Sequence, residues 1–160
     1  METTIRARRT FAAFMEQSLY GPEGYYASGR ARSGREGDYF TAPDVGPAFG
    51  RLLAEIFKSW QLKLSITPFQ VVEVGSGEGA LAKSLSEDFP YIAIERSASR
   101  RQKLESDGFT VLSSVEELAE RPVSGCLFGN ELLDAFPVHR VRMRNGKLEE
   151  AYVEVPHPPA

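Results

Sequence analysis

The stretch Val71-Val72-Glu73-Val74-Gly75-Ser76-Gly77-Glu78-Gly79-Ala80-Leu81 decides how this chain is read. A short apolar run switches at Gly75 to a turn in which every second residue is glycine. It then continues through Ala80, Leu81, Ala82 and Leu85 at helical spacing. The pattern predicts a strand, a tight turn and a helix. Glycines at such a turn admit positive φ and let a ligand lie directly on the main chain, and the unpaired N–H groups opening the helix point into the same space.

The spacing narrows the ligand. A dinucleotide turn prefers G-x-G-x-x-G and carries a pyrophosphate, whereas this chain has G-x-G-x-G with Glu73 two residues ahead of Gly75. A carboxylate there suits a cationic amine better than a phosphate. The ligand expected over Glu73, Gly75, Ser76, Gly77 and Gly79 is S-adenosylmethionine, whose ammonium and sulfonium are both positive. A β–α corner without ligand is the plain alternative.

Working downstream, Tyr91-Ile92-Ala93-Ile94 reads as a second strand ended by Glu95. Glu95 lies about 20 positions past Gly75, where a Rossmann-like fold hydrogen-bonds ribose hydroxyls. A helix from Ser97 to Ser106, stopped by Gly108, leads to a third strand, Phe109 to Leu112. Ser114-Val115-Glu116-Glu117 opens a short helix as a capping box. The turn from Leu112 through Ser114 and Val115 is expected beside the adenine. The fourth strand, Gly125 to Gly129, runs into Asn130-Glu131-Leu132-Leu133-Asp134, and polar groups at that carboxyl end face the ligand crevice. Asn130, Glu131 and Asp134 are the candidates for substrate contact, although Asp134 serves equally well to cap a helix or brace the turn.

Upstream, Ile5, Phe11, Phe14, Met15 and Leu19 share one helical face over Thr3 to Leu19. Tyr20 to Pro43, rich in glycine and tyrosine, is expected to be irregular and to cover a ligand. Its Arg30, Arg32 and Arg35 read as a solvated loop before a binding patch. Asp44 is the expected N-cap of a helix to Leu64, with Pro47 in its first turn. Val138 to Arg144 and Leu148 to Val155 flank Asn145-Gly146 as a hairpin. Cys126 reads as a small core residue, and His139 has no companion nucleophile or ligand set.

Whole-chain figures bound the rest. The 160 residues suffice for one domain with a real core. A net charge of −3 argues against nonspecific nucleic-acid binding. One cysteine excludes an internal disulfide and a cysteine-based metal site, so no metal is expected and a reducing cytoplasm fits. No apolar run reaches the ~20 residues of a membrane span. The start is expected to be mature sequence, since Glu2 and Glu16 interrupt the pattern of a transit peptide. The expected division is a helical cap and cofactor-covering loop over 1–66 and a Rossmann-like cofactor-binding region with terminal hairpin over 67–160.

Several blocks together resemble the MidA family of S-adenosylmethionine-dependent methyltransferases. They are Gly24-Tyr25-Tyr26, Gly37 to Asp44, Phe49-Gly50, Glu73 to Gly79, Glu95-Arg96-Ser97 and Asn130 to Val138. Tyr39 and Asp44 depart mildly from the family's usual phenylalanine and glutamate. The resemblance adds Thr41, Arg96 and Asn130 to the cofactor-binding set and implies methylation of a protein arginine nitrogen, with Glu131 and Asp134 holding the guanidinium as catalytic residues. It also implies a protein substrate related to a respiratory complex I subunit, a bacterial cytoplasm or a mitochondrial matrix in a eukaryote, and relatives longer than this chain.

The expected fold is α/β, a Rossmann-like class I methyltransferase fold. Its incomplete parallel sheet has order 3-2-1-4 and helices on both faces, with an N-terminal helical cap and a C-terminal hairpin. Cofactor binding is expected with weak methyl transfer, since the acceptor-side strands fall outside this sequence. Self-association through the open edge is expected unless the hairpin covers it. Two rivals stay open, a non-catalytic assembly module that retains the fold and a nucleotide-dependent oxidoreductase.

Overall fold

The computed structural model describes residues 7–29, 31, 34 and 37–155. Ile5, Arg30, Arg32, Arg35 and the 156–160 tail lie outside the described residues. In chain order the elements are β1 (Ala7–Thr10), α1 (Phe11–Tyr20), α2 (Ala42–Val45), α3 (Ala48–Leu64), β2 (Gln70–Val74), α4 (Ala80–Leu85), β3 (Tyr91–Ile94), α5 (Ala98–Ser106), β4 (Thr110–Leu112), β5 (Gly125–Phe128), β6 (Val141–Arg144), β7 (Lys147–Glu150) and β8 (Tyr152–Val155). Short 3-10 turns occupy Val115–Leu118 and Leu133–Ala135. Contacts divide the chain into two units, Gly29–Leu132 and Met1–Ser28 with Leu133–Ala160. The junction expected at residues 66 and 67 lies inside the first of these.

The unit Gly29–Leu132 is built on a four-stranded sheet of order β4-β3-β2-β5 with every pairing parallel. This is the 3-2-1-4 order read from the sequence. Side chains alternate across each strand, so Val71 and Glu73 share one face with Tyr91 and Ala93, while Val72 faces the other way with Ile92, Ile94 and Leu112. The first face carries the larger core: Ala54 and Phe57 of α3, Leu81 and Leu85 of α4 and Leu104 of α5 all pack there. Phe57 is only 2% exposed and meets Phe69, Phe89 and Phe128 at centroid distances of 6.2, 6.1 and 5.6 Å. Burying a side chain of that size stabilises by roughly 1.5–3 kcal/mol.

Helices on both faces are therefore not what the described residues show. The second face is covered by Leu118, in the Val115–Leu118 turn, and by Val123. The connection from β4 to β5 folds only as the Val115–Leu118 turn and no full helix, and Leu127 on this face is 54% exposed. The start of α3 also differs from expectation. Thr41, not Asp44, caps the first turn: its backbone N–H and its hydroxyl donate to Asp44 Oδ2 at 2.9 and 2.8 Å. This closes α2 as a separate turn, and α3 begins after Pro47. Gly50 lets α3 cross α4 closely, since a Cβ there would stand 2.6 Å from Ser84 Cβ.

In the other unit, β1 pairs antiparallel with β8, with Arg8 opposite Glu154 and their side chains 3.1 Å apart. The helix expected over Thr3 to Leu19 is thus confined to α1, because residues 7–10 are recruited as a strand by a partner far along the chain. Thr10 marks the switch, accepting Ala13 N–H on its hydroxyl at 3.1 Å. The Asn145-Gly146 turn forms as expected, with φ of 50° and 74°. The long second arm of that hairpin does not: it breaks at Ala151, whose N–H donates to Arg140 O, and β8 leaves β7 to pair with β1.

Candidate functional site

The carboxyl ends of β2 and β3 converge on the glycine turn. The N–H of Gly75 donates to Ile94 O at 2.7 Å, and Gly79 N–H closes the turn on Ser76 O at 2.9 Å. Gly75, Gly77 and Gly79 all have positive φ, at 77°, 55° and 78°. Their surroundings differ. A Cβ on Gly75 would lie 2.8 Å from Leu132 Cδ1 and one on Gly79 2.6 Å from Leu104 Cδ2, whereas one on Gly77 would meet nothing within 4 Å. Gly75 and Gly79 are thus required by packing as well as by φ. Gly77 faces open space at the carboxyl edge of the sheet.

Two buried carboxylates support this turn. Glu73 is 3% exposed, and its Oε2 accepts the Tyr91 hydroxyl, which β3 presents on the same face. Burial pushes the Glu73 carboxyl up to about 7; donation from Tyr91 and Ser76 pulls it down, and the charge of Glu95 adds to the rise. Burial and the neighbouring Glu73 likewise raise the Tyr91 hydroxyl, which stays protonated as a donor. Ser76, also buried, donates its hydroxyl to Glu73 O at 3.0 Å. Glu95 is 7% exposed. Its Oε2 accepts Gly77 N–H at 2.9 Å and its Oε1 accepts Ser97 N–H at 2.7 Å. Each oxygen keeps a further lone pair, so a ribose hydroxyl remains a possible donor to either one.

The remaining expected residues distribute around this centre. Thr41 is occupied with Asp44 at the start of α2. Arg96 is exposed, and its carbonyl accepts Arg101 Nη1 at 2.6 Å. Ser114 caps the Val115–Leu118 turn beyond β4, and Val115 is 44% exposed. Glu117, the carboxylate of the capping pair expected at Ser114, accepts the Ser114 backbone N–H and also the Ser113 N–H, the latter at 2.9 Å on Oε1. Asn130 and Glu131 follow β5, and Glu131 is held at φ 49°, in the left-handed region that a non-glycine residue rarely adopts. Asp134 lies in the 3-10 turn of the other unit.

Three contributors to the site are not evident from the sequence. Tyr91 reads in the sequence as a strand residue, yet a tyrosine on a wholly buried strand needs a partner for its hydroxyl, and that need points to Glu73. Ser97 is expected only as the start of a helix, yet its N–H fixes Glu95. Leu132 sits over Gly75, which no periodicity signals. Among the described residues no group of His, Cys, Asp and Glu stands ready to hold a metal ion, and no helix is long and apolar enough to cross a membrane.

With this geometry in place, comparison with known proteins is informative. A family described as "Putative S-adenosyl-L-methionine-dependent methyltransferase" matches residues 48–158. The Drosophila melanogaster protein arginine methyltransferase NDUFAF7 homolog, mitochondrial, is 26% identical over 90% of this chain and 41% of its own length. Human protein arginine methyltransferase NDUFAF7, mitochondrial, is 40% identical over 45% of this chain and 17% of its own. A COG1565 superfamily protein from Burkholderia thailandensis, solved with S-adenosyl-homocysteine bound, superposes with a TM-score of 0.70 at 25% identity. The match covers 96% of this chain and 47% of that one. The chain thus spans less than half the length of these relatives.

Proposed function

Because this chain belongs to that family of S-adenosyl-L-methionine-dependent methyltransferases, we propose that it binds S-adenosylmethionine on the Gly75 to Gly79 turn and serves methyl transfer to a protein arginine nitrogen. The observation that carries the cofactor reading is the open space above Gly77, flanked by the buried carboxylates of Glu73 and Glu95. The residues fit the ligand's chemistry. A cradle that a Cβ would fill suits a group lying on the main chain, and two carboxylates suit a ligand carrying an ammonium and ribose hydroxyls.

Glu73 then receives the ammonium, Glu95 the ribose hydroxyls, and Ser114 and Val115 border the adenine. When bound, the cofactor supplies an electrophilic methyl on a sulfonium. The chain's own contribution is to hold the acceptor in line, and positioning of this kind supplies much of the acceleration in such transfers. An arginine guanidinium stays protonated in water, so the Glu131 carboxylate orients it by charge-assisted hydrogen bonds. The arginine reading draws on the names of the NDUFAF7 relatives, which also favour a mitochondrial compartment in a eukaryote.

The test is titration of the chain with S-adenosylmethionine and with NADH, followed by incubation with the labelled methyl donor and an arginine-bearing peptide. Binding of S-adenosylmethionine alone with label on the guanidinium supports the whole reading. Binding without label reduces it to a cofactor-holding assembly module, and binding of NADH in preference replaces it with an oxidoreductase.

A further inference from the structure

Arg100 has a position that neither its helix nor the cofactor chemistry requires. It lies on α5, yet its side chain is only 10% exposed. Its Nε stands 3.5 Å from Glu78 Oε1, within the glycine turn, and its Nη2 donates to Ala31 O at 3.0 Å. It also makes a side-chain hydrogen bond with Tyr39 and feels the charge of Glu95. Burial alone disfavours its charge, but Tyr39, Glu95 and Glu78 outweigh that cost. One guanidinium therefore ties α5 to two stretches far from it in sequence, the glycine turn and the segment that carries Ala31 and Tyr39, with the fork geometry that lysine lacks. Lys103 reinforces one arm, 3.3 Å from Glu78 Oε2.

The consequence falls on the turn. Glu78 directly follows Gly77, whose open side is the proposed ligand surface and whose N–H is held by Glu95. With Glu78 drawn to Arg100, the buried carboxylates left for a cationic ligand among the described residues are Glu73 and Glu95, and the turn is tied on one side to Ala31 and Tyr39. We propose that Arg100 is a positioning residue of the cofactor site, coupling the glycine turn to Ala31 and Tyr39 and setting how long S-adenosylmethionine stays bound. The inference rests on the cofactor reading above.

Stopped-flow displacement of S-adenosylhomocysteine tests it on the parent chain and on Arg100→Gln, Arg100→Lys and Tyr39→Phe. Loss of a charge-assisted network of this kind should speed dissociation in Arg100→Gln about tenfold, with association changed less than about twofold and Arg100→Lys between. Tyr39→Phe should speed release by a smaller factor, and the double variant should release no faster than Arg100→Gln, since the two side chains act as a unit. A merely structural role predicts otherwise: additive losses and a lowered melting temperature without a split between the two rates. Unchanged release in folded Arg100→Lys and Tyr39→Phe overturns the inference even where Arg100→Gln does not fold. Failure of the parent chain to bind at all overturns the cofactor reading beneath it, and is read separately in the same experiment.

Discussion

Tyr91 donates its hydroxyl hydrogen to Glu73 across the parallel pairing of β3 with β2, directly below the glycine turn. The pair places a titrating group in the interior. Glu73 has its carboxyl raised to about 7 in the folded chain, above its ordinary 4.5. Its contribution to stability is therefore full below pH 4.5 and is lost as pH rises through 7. Relative to Glu73→Gln, the parent should lose as much as about 3 kcal/mol over that window. Urea denaturation at a series of pH values checks this, and parallel profiles for the two proteins would sink it. Tyr91→Phe removes a donor to the carboxylate, so its Glu73 should titrate higher still.

Cofactor affinity should follow the same group with the opposite sign. A ligand ammonium pairs with the ionised carboxylate, so binding below pH 7 must first expel a proton. The dissociation constant for S-adenosylmethionine should rise about tenfold per pH unit as pH falls below 7. Calorimetry between pH 5.5 and 8 measures the slope, which Glu73→Gln should abolish; a flat profile in the parent would place the ammonium elsewhere.

Glu95 has two duties. It already accepts Gly77 N–H and Ser97 N–H, and the proposed ribose contacts use its remaining lone pairs. Hydrogen bonds to a charged group contribute roughly 1.5–3 kcal/mol, so Glu95→Ala should weaken S-adenosylhomocysteine by about ten- to a hundredfold. A 2′-deoxyribose analogue should lose less affinity in the variant than in the parent. Simple addition of the two losses would mean that Glu95 supports only the turn.

Phe57 joins α3 to Phe69, Phe89 and Phe128 at the centre of the larger core. Phe57→Ala should cost about 3–5 kcal/mol in chemical denaturation. A loss under about 1 kcal/mol would mean that α3 packs differently from the arrangement described.

Legibility in the sequence followed the range of the forces involved. Val71 to Leu81 was readable because strand, turn and helix each depend on neighbours a few residues away, and the parallel order followed from strands separated by helix-length connections. Glu73 and Glu95 were readable as acidic groups beside the turn, but their partners were not: Tyr91 and Ser97 carry no mark of what they bond until the sheet register is known. The residues of β1 lie within a helical period for the same reason, since Ala7 to Thr10 becomes a strand only through Tyr152 to Val155. Thr41 and Asp44 carry the capping signal, but Pro47 in the sequence points to a helix start three residues later than Thr41, at Asp44. The tie of Arg100 to Glu78, Ala31 and Tyr39 left no periodic trace at all.

The central claim is that a ligand lies on the main chain at Gly77, and one calorimetric titration of S-adenosylhomocysteine tests it most directly. A Cβ at Gly77 meets no protein atom within 4 Å, so the cost of Gly77→Val to the fold is the strain of a branched residue at φ 55°, on the order of 1–2 kcal/mol. The parent should bind at a single site, and Gly77→Val should show no binding while keeping a native-like far-ultraviolet circular dichroism spectrum. Equal affinity in parent and variant would contradict the account.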